Sequence, residues 1–558
     1  MKKSLLTLAG VMCALAIQAQ SWVQANSMGG RNNIDGTAAI ARDGSGNMYV
    51  TGDFEGAVPF GGGGIAAQGF VDQFLSKYDA AGSHLWTIQI GSVNNVMSAG
   101  GVTTDAAGNV YLAGNFQFFL VINGVTYTAQ GTEDAFLAKY SPNGVFQWVK
   151  IFTGNGRQKI VALTSFGTSL YLSGVYNQEM IYGTLSLPTA TGAEDAFLIK
   201  TDSAGNTMWH SRFGGTSDDR GTSISVSQNT VYWAGFYRGT VNFNGTNLSS
   251  GTTAHDDMVI LKFDQLGNQL WAKDYGGNYR EAIFGVSQDA AGNPHCTGIF
   301  YGTVNFGIQT IVEADYSSQN PAGNGDAFVM KLNASDGSCI WVRHIRGSVD
   351  NNEVGQAIST DPGYSSYVTG TINGSGSQFA IFGSNANQTG TNINPTNGND
   401  CFVAKYDING TLLWVIKTGG SNSERGQSIL WDATGYLNVA GNFSGQITLG
   451  ANTLSAPSQA AVFVARYNGL TTGIGTIEAD PSLVLFPNPA SDFIRLSSEE
   501  RLIDGIEIYN LNGSLVMQER FPFGNHSLEL NIANLTQGQY LIHVISGEKR
   551  SIQQFQVH

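Results

Sequence analysis

The segment Asp134-Ala-Phe-Leu-Ala-Lys-Tyr-Ser-Pro-Asn-Gly-Val-Phe-Gln-Trp148 recurs along the chain, and this recurrence limits the fold more than any other feature. Its relatives run Asp72–Trp86, Asp195–Trp209, Asp257–Trp271, Asp326–Trp341 and Asp400–Trp414. A second motif falls between them, Asp105-Ala-Ala-Gly-Asn-Val-Tyr-Leu-Ala-Gly114. It returns at Asp43–Gly52, Asp289–Gly298 and Asp432–Gly441, with weaker copies around Tyr171, Tyr232 and Tyr367. Seven copies of a unit of roughly 60–70 residues imply a repeat architecture in which each unit is buried by its neighbours.

Each copy reads as two hairpins. Apolar alternation marks strands, as at Phe136, Ala138 and Tyr140, and Asp-x-x-Gly-Asn supplies the turn through an Asx turn and a glycine at positive φ. Two hairpins make a four-stranded sheet, apolar on both faces, and such sheets stacked radially form a propeller. The composition agrees: 72 glycines, 11% aromatic and 13% charged residues suit a turn-rich all-β protein and exclude a disordered chain. The net charge of −14 and the lack of any Lys/Arg cluster exclude a nucleic-acid binder.

The ends of the array predict closure. The seventh copy reaches Phe463-Val-Ala-Arg-Tyr467 and has no Trp strand, while Ser21-Trp22-Val23-Gln24 near the N-terminus looks like the missing one. The N-terminal strand is therefore expected to complete the last blade, with Trp22 continuing the Trp series. Ahead of it, Lys2 and Lys3, the apolar run Leu5–Ile17 and the small Ala19 read as a secretory signal peptide over residues 1–19. Cys13 lacks the small residue that precedes a lipidated cysteine, and no later stretch is long and apolar enough to span a membrane. Cys296, Cys339 and Cys401 fall within strands and read as small core residues rather than a disulfide framework.

These signatures resemble SBBP-type β-propeller repeats over residues 20–469, a likeness that implies the fold and an extracellular setting but no particular activity. After a linker at 470–482 the pattern changes. Pro487-Asn488-Pro489-Ala490, Ile508-Tyr-Asn-x-x-Gly513 and Gly538-x-Tyr540 resemble the C-terminal sorting domain of type IX secretion substrates of Bacteroidetes, over residues 483–558. Its strands suit a small β-sandwich. That resemblance implies a partnership with the type IX machinery, passage through the periplasm, and release or attachment at the outer surface. The expected fold is thus all-β: a seven-bladed β-propeller of four-stranded blades, followed by a small C-terminal β-sandwich.

Repetition separates scaffold from site. The aspartates Asp72, Asp134, Asp195, Asp257, Asp326 and Asp400 recur at one position. A carboxylate ring can bind calcium, but backbone capping is the preferred reading, and no cofactor is expected. Connectors between second and third strands vary in length, and variable loops on a rigid ring are where binding sits; the longest lie beside blades five and six. Connectors between blades carry charge near the central channel: Arg157, Lys159, Asp218, Asp219, Arg220, Arg280, Glu281, Glu353, Glu424 and Arg425. Of these, Arg157, Arg220, Arg280, Glu281, Glu353, Glu424 and Arg425 form the candidate ligand site, a polar mouth for an anionic or sugar ligand. The structural alternative, favoured for these charges, is ion pairing between blades, with Asp219-Arg220, Arg280-Glu281 and Glu424-Arg425 compensating one another. His-Glu-x-x-His, Gly-x-Ser-x-Gly and phosphate-loop motifs are all absent. A non-catalytic surface module binding glycan or protein is therefore expected. The alternatives are a polysaccharide-active enzyme using carboxylates at the channel mouth and a structural surface-layer protein.

Overall fold

A computed structural model describes residues 22–31, 38–60, 63–93, 95–243, 245–250, 254–313, 324–347, 352–375, 380–383, 390–420, 422–432, 434–468, 483–498, 502–510, 515–546 and 549–557. The proposed signal peptide, linker and Gly513 lie outside them. The described residues form strands and turns with no helix. They fall into two compact units, which divide between Leu470 and Thr471.

In the first unit, four strands pair antiparallel in chain order in six runs, and a seventh run of three strands, Glu424–Trp431, Tyr436–Leu449 and Asn452–Asn468, is followed in its sheet by the N-terminal strand. Met97–Thr104, Val110–Phe116, Asp134–Tyr140 and Phe146–Thr153 are one such run. The first strands of the runs are Ala38–Arg42, Met97–Thr104, Gln158–Phe166, Arg220–Val226, Glu281–Gln288, Val354–Thr360 and Glu424–Trp431. Each packs against the next, and the last packs against the first. The architecture is all-β and propeller-like.

The recurring residues bind one run to the next. A Trp on the fourth strand lies opposite a Lys on the third, as Trp148 opposite Lys139 and Trp209 opposite Lys200. The Trp ring covers a turn glycine of the following run. Gly144, Gly205, Gly267, Gly337 and Gly410 have φ between 71° and 79° or, for Gly267, 89°. A Cβ at Gly267 would lie 2.8 Å from Trp209, and one at Gly410 2.6 Å from Trp341. Only glycine satisfies both the left-handed backbone and the close approach. The Lys ammonium sits over a Tyr ring and donates to a carbonyl of that same neighbouring turn: Lys77 to Pro142 at 2.8 Å, Lys200 to Gln265 at 2.8 Å, Lys262 to Ala334 at 2.6 Å. In the last run Arg466 takes the Lys position and donates to Ala80 of the first, at 3.1 Å.

The N-terminal strand Trp22–Arg31 pairs with Asn452–Asn468 and touches Met48–Phe54 at Gly30–Phe54, so the first and last runs share one nine-stranded sheet. The register corrects one expectation. Gln24, not Trp22, lies opposite Arg466. A register shift between Trp22 and Gln24 sets Trp22 opposite Tyr467, on which it packs edge-on with 5.1 Å between ring centroids. Gln24 then covers Gly82, the place a Trp ring fills elsewhere.

The connectors between second and third strands are more regular than the sequence suggested. Each opens with a short hairpin carrying two buried apolar residues two positions apart: Val58 and Phe60, Leu120 and Ile122, Met180 and Tyr182, Val241 and Phe243, Val304 and Phe306, Ala380 and Phe382, Ile447 and Leu449. This hairpin covers the outer strand of the preceding run. Tyr182 stacks on Phe152 at 4.0 Å and Phe243 meets Phe213 at 5.1 Å. These segments are therefore scaffold; the longest stretches beside the fifth and sixth runs, 314–323 and 384–389, lie outside the described residues.

The second unit has a three-stranded sheet of Leu483–Phe486, Phe493–Ser498 and Ser527–Asn531 and a four-stranded sheet of Ile503–Asn510, Leu515–Asn525, Gly538–Ser546 and Lys549–Val557. One core containing Ile494, Leu530, Ile506, Ile542 and Phe555 joins both. The segment around Pro487 and Pro489 ties back to the last strand. The side-chain oxygen of Asn488 accepts from the Gln556 amide at 2.9 Å, and the Ala490 amide donates to the Gln556 carbonyl at 2.8 Å.

Candidate functional site

The recurrent aspartates are backbone caps. Asp134 accepts from the amides of Gln130 and Gly131, and Asp195 from those of Thr191 and Gly192. Burial pushes Asp134 up to about 6. The turn aspartates are equally committed: Asp105 accepts from the amides of Ala107 and Asn109 and from the Tyr111 hydroxyl.

The three candidate glutamates belong to a second buried polar layer. Asn95, Gln158, Asp219, Glu281, Glu353 and Glu424 occupy equivalent places before or at the start of the first strands, and all are fully buried. Asp219 accepts from the amides of Gly215 and Arg238, and Glu281 from that of Gly277. The carboxyls of Asp219, Glu281 and Glu424 lie near Asp195, Asp257 and Asp400, the recurrent aspartates of the preceding runs. Burial, reinforced by Asp257, pushes Glu281 up to about 10. Burial and a hydrogen bond to Asp400 push Glu424 up to about 9. Asp219 rises to about 7, again through burial first. Glu281, Glu353 and Glu424 are thus removed from the candidate ligand surface: neighbouring residues of a strand face opposite ways, and here the acid of each Arg/acid pair faces inward.

The arginines pair with acids of their own run or the preceding one instead of with their sequence neighbours. Arg157 joins Glu133 at 2.7 Å to Glu194 at 2.6 Å. Arg220 reaches Glu194 at 2.9 Å. Arg238 and Arg280 hold Asp256 at 2.7 and 3.2 Å. This ladder runs from Glu133 of the second run to Arg280 of the fifth; Glu133, Glu194 and Asp256 immediately precede the recurrent Asp in the second to fourth runs, where Val71, Gly325, Asn399 and Ala460 stand in the first, fifth, sixth and seventh.

Within the ladder a cleft of about 200 Å3 is lined by Asp218, Arg220, Phe236, Arg238, Asp256 and Arg280. Phe236 is buried, and the guanidinium groups of Arg220 and Arg280 lie 6.0 and 5.9 Å from its ring centre. The side chains of Arg220 and Arg280 are 44% and 53% exposed. The structure thus brings Arg220 and Arg280 together, leaves Arg157 one step along the ladder, and sets Arg425 outside the cleft, half-buried at the seventh run. Phe236, Arg238 and Asp256 were missed by the sequence reading. Their signal lies in the columns of the repeat: Arg238 stands where Glu55, Gln117, Asn177, Tyr301, Asn373 and Ser444 stand in other copies.

Residues 484–558 match the family of secretion system C-terminal sorting domains. An uncharacterized WD repeat-containing protein of Acanthamoeba polyphaga mimivirus is 22% identical over 451 residues, covering 68% of this chain and 32% of the viral protein, so the chain spans about a third of that relative's length. Among solved structures, Sqt1 from Chaetomium thermophilum is 10% identical with a TM-score of 0.34, covering 80% of this chain and 99% of that one. The phage phi92 endosialidase is 9% identical with a TM-score of 0.36, over 95% and 87%. A member of the duf4221 family from Bacteroides vulgatus is 9% identical with a TM-score of 0.30, over 80% and 97%.

The chain carries a type IX sorting domain, which marks it for secretion and cell-surface attachment and gives it the type IX machinery as a partner. Of the motif residues, Asn488 clasps the last strand, and the Tyr540 hydroxyl donates to the Thr536 carbonyl at 2.7 Å. Among the described residues no helix is long and apolar enough to cross a membrane.

Proposed function

We propose that the chain is an exported seven-bladed propeller of the SBBP type, closed by its N-terminal strand, that acts as a non-catalytic binding module at the Arg220–Arg238–Arg280 cleft. The signal peptide takes it to the periplasm and the sorting domain takes it across the outer membrane. Closure is supported by the pairing of Trp22–Arg31 with the last run, by the packing of Glu424–Trp431 on Ala38–Arg42, and by the Arg466–Ala80 bond.

One observation carries the binding reading. Three arginines converge in one cleft, although no other copy has a cation at position 238, where Glu55, Gln117, Asn177, Tyr301, Asn373 and Ser444 stand, and Val96, Ala282 and Val354 fill the equivalent of position 220 in three copies, against Lys159 and Arg425 in two. A glycoside hydrolase needs two carboxyl groups set across its substrate. Here Asp256 is held by two arginines and the nearby Glu281 is buried, which leaves Asp218 without a second carboxyl group across the cleft and favours binding over hydrolysis. A glycan array combined with a polysaccharide hydrolysis screen on residues 20–469 tests it. Binding without turnover is expected. Turnover lost on Asp218→Asn would establish an enzyme, and silence on both assays would favour a structural surface-layer role.

A further inference from the structure

We infer that the cleft recognises a single carboxylate of an acidic sugar, held between Arg220 and Arg280 beside Phe236; this rests on the binding reading above. The first argument is donor supply. Arg280 contacts Asp256 through Nε, which leaves the fork of its two terminal nitrogens for a ligand. Arg220 reaches Glu194 through one terminal nitrogen, and its Nε is buried without a partner. The exposed part of the Arg220 side chain is therefore its terminal nitrogens, the donors open to an anion in the cleft. Paired N–H groups in a plane match a carboxylate in the two-point manner that a lysine ammonium cannot reproduce.

Charge balance narrows the anion. Three arginines face Asp218 and Asp256 in the same cleft, and Glu194 lies 2.9 Å from Arg220, so the site carries no surplus that would hold a multiply charged anion. That suits a monoanion; a phosphate dianion would meet two carboxylates at close range. The chain as a whole carries −14, which repels densely charged polymers at long range. Size narrows it further. The cleft of about 200 Å3 is smaller than the roughly 300–1,000 Å3 of sites that enclose a drug-sized ligand, so it takes one unit of a larger molecule. Asp218, a lining carboxylate outside the Asp256 fork, accepts hydrogen bonds from hydroxyl groups beside the bound carboxylate. A uronate ring supplies both in one residue. Phe236 is too buried to serve as a stacking platform and instead gives the two guanidinium groups a low-dielectric flank, where charge-assisted bonds are stronger.

The test is binding of polygalacturonate to residues 20–469 by titration calorimetry, beside its fully methyl-esterified form, polyglutamate and dextran sulfate. Polygalacturonate is expected to bind, with the ester at least about tenfold weaker. Arg280→Gln should lose about tenfold, and Arg280→Lys should recover only part of it because the fork is gone. Arg495→Gln, the same charge change on the exposed Arg495–Glu529 pair of the sorting unit, is measured in the full chain against wild type and should change nothing. Thermal melts confirm that each variant folds. Equal binding of polygalacturonate and its ester, unaffected by Arg280→Gln, would overturn the carboxylate inference while leaving a binding module standing. Tighter polyglutamate binding would assign an acidic peptide instead, and equal dextran sulfate binding would reduce the site to general anion exchange. No binding by any polymer or on the glycan array would remove both readings.

Discussion

Replacing Glu281 with Gln should stabilise the propeller at neutral pH and do little in acid. Glu281 is fully buried, one oxygen accepts from the Gly277 amide at 3.2 Å, and the other has no hydrogen-bond partner. Burial first, and Asp257 second, raise the carboxyl from its ordinary range to about 10. The folded chain therefore keeps a proton that the unfolded chain releases above about pH 4.5. The folded value lies above the unfolded one, so the stability this group allows is complete below pH 4.5 and is lost as pH rises toward 10. The loss is about 1.4 kcal/mol per pH unit, or about 3 kcal/mol between pH 5 and 7.5. Glutamine has no proton to lose and keeps the bond to Gly277. Gln158 already fills the equivalent place in the third run, fully buried. Urea melts followed by Trp fluorescence at pH 5, 6 and 7.5 give the comparison. The variant should match wild type at pH 5 and exceed it by about 3 kcal/mol at pH 7.5. Glu424→Gln should follow the same course, and Asp219→Asn a shallower one, since Asp219 rises only to about 7. A Glu281→Gln variant less stable than wild type by one constant amount across this range would refute the reasoning, because it would mean that the carboxylate is ionised and paired in the fold.

Gly267→Ala should cost roughly 2–4 kcal/mol in the same melts, combining left-handed backbone strain with a Cβ 2.8 Å from Trp209. Gly292→Ala, at a φ of 82° with nothing near the new methyl, should cost only about 1–2 kcal/mol; equal losses would show that the Trp–Gly contact is slack. Removing residues 20–26 should lower the melting temperature of the whole propeller instead of leaving it unchanged as a frayed tail would, because that segment supplies Gln24 and Asn26 to the last sheet. Deleting residues 483–558 should trap the chain in the periplasm, read by fractionation; unchanged appearance outside the cell would disprove the sorting role.

The array was legible because each recurring residue answers one packing demand. Trp148, Lys139 and Gly144 recur since every run must grip the next through a ring, an ammonium and a turn without a Cβ. Demands met by several residue types were harder to see. The buried apolar pair of each inserted hairpin is Val-x-Phe in three copies but Met-x-Tyr, Leu-x-Ile, Ala-x-Phe and Ile-x-Leu in the others, so the period hides behind substitutions of similar volume. The shift at Trp22 was hidden because a bulge changes register without changing spacing.

The charged connectors show how the same logic misleads. Glu281 varies in type across the copies, through Asn95, Gln158 and Asp219, while the place stays fully buried; Asp219 and Glu281 accept from backbone amides there, and Gln158 instead donates to the Glu179 carbonyl. Variation in residue type there does not mark a site. Arg238 is the converse: its column holds Glu55 and otherwise neutral residues but no second cation, and it reaches Asp256 beside two further arginines. What separates the two is whether each alternative in the column can make the same bond. Glutamine can replace Glu281 on the Gly277 amide, whereas none of Gln117, Asn177, Asn373 and Ser444 can supply the charge that Arg238 brings to the cleft. Charge that no other copy can replace is therefore the better guide to function in a repeated fold, and it points to the sector between the third and fifth runs.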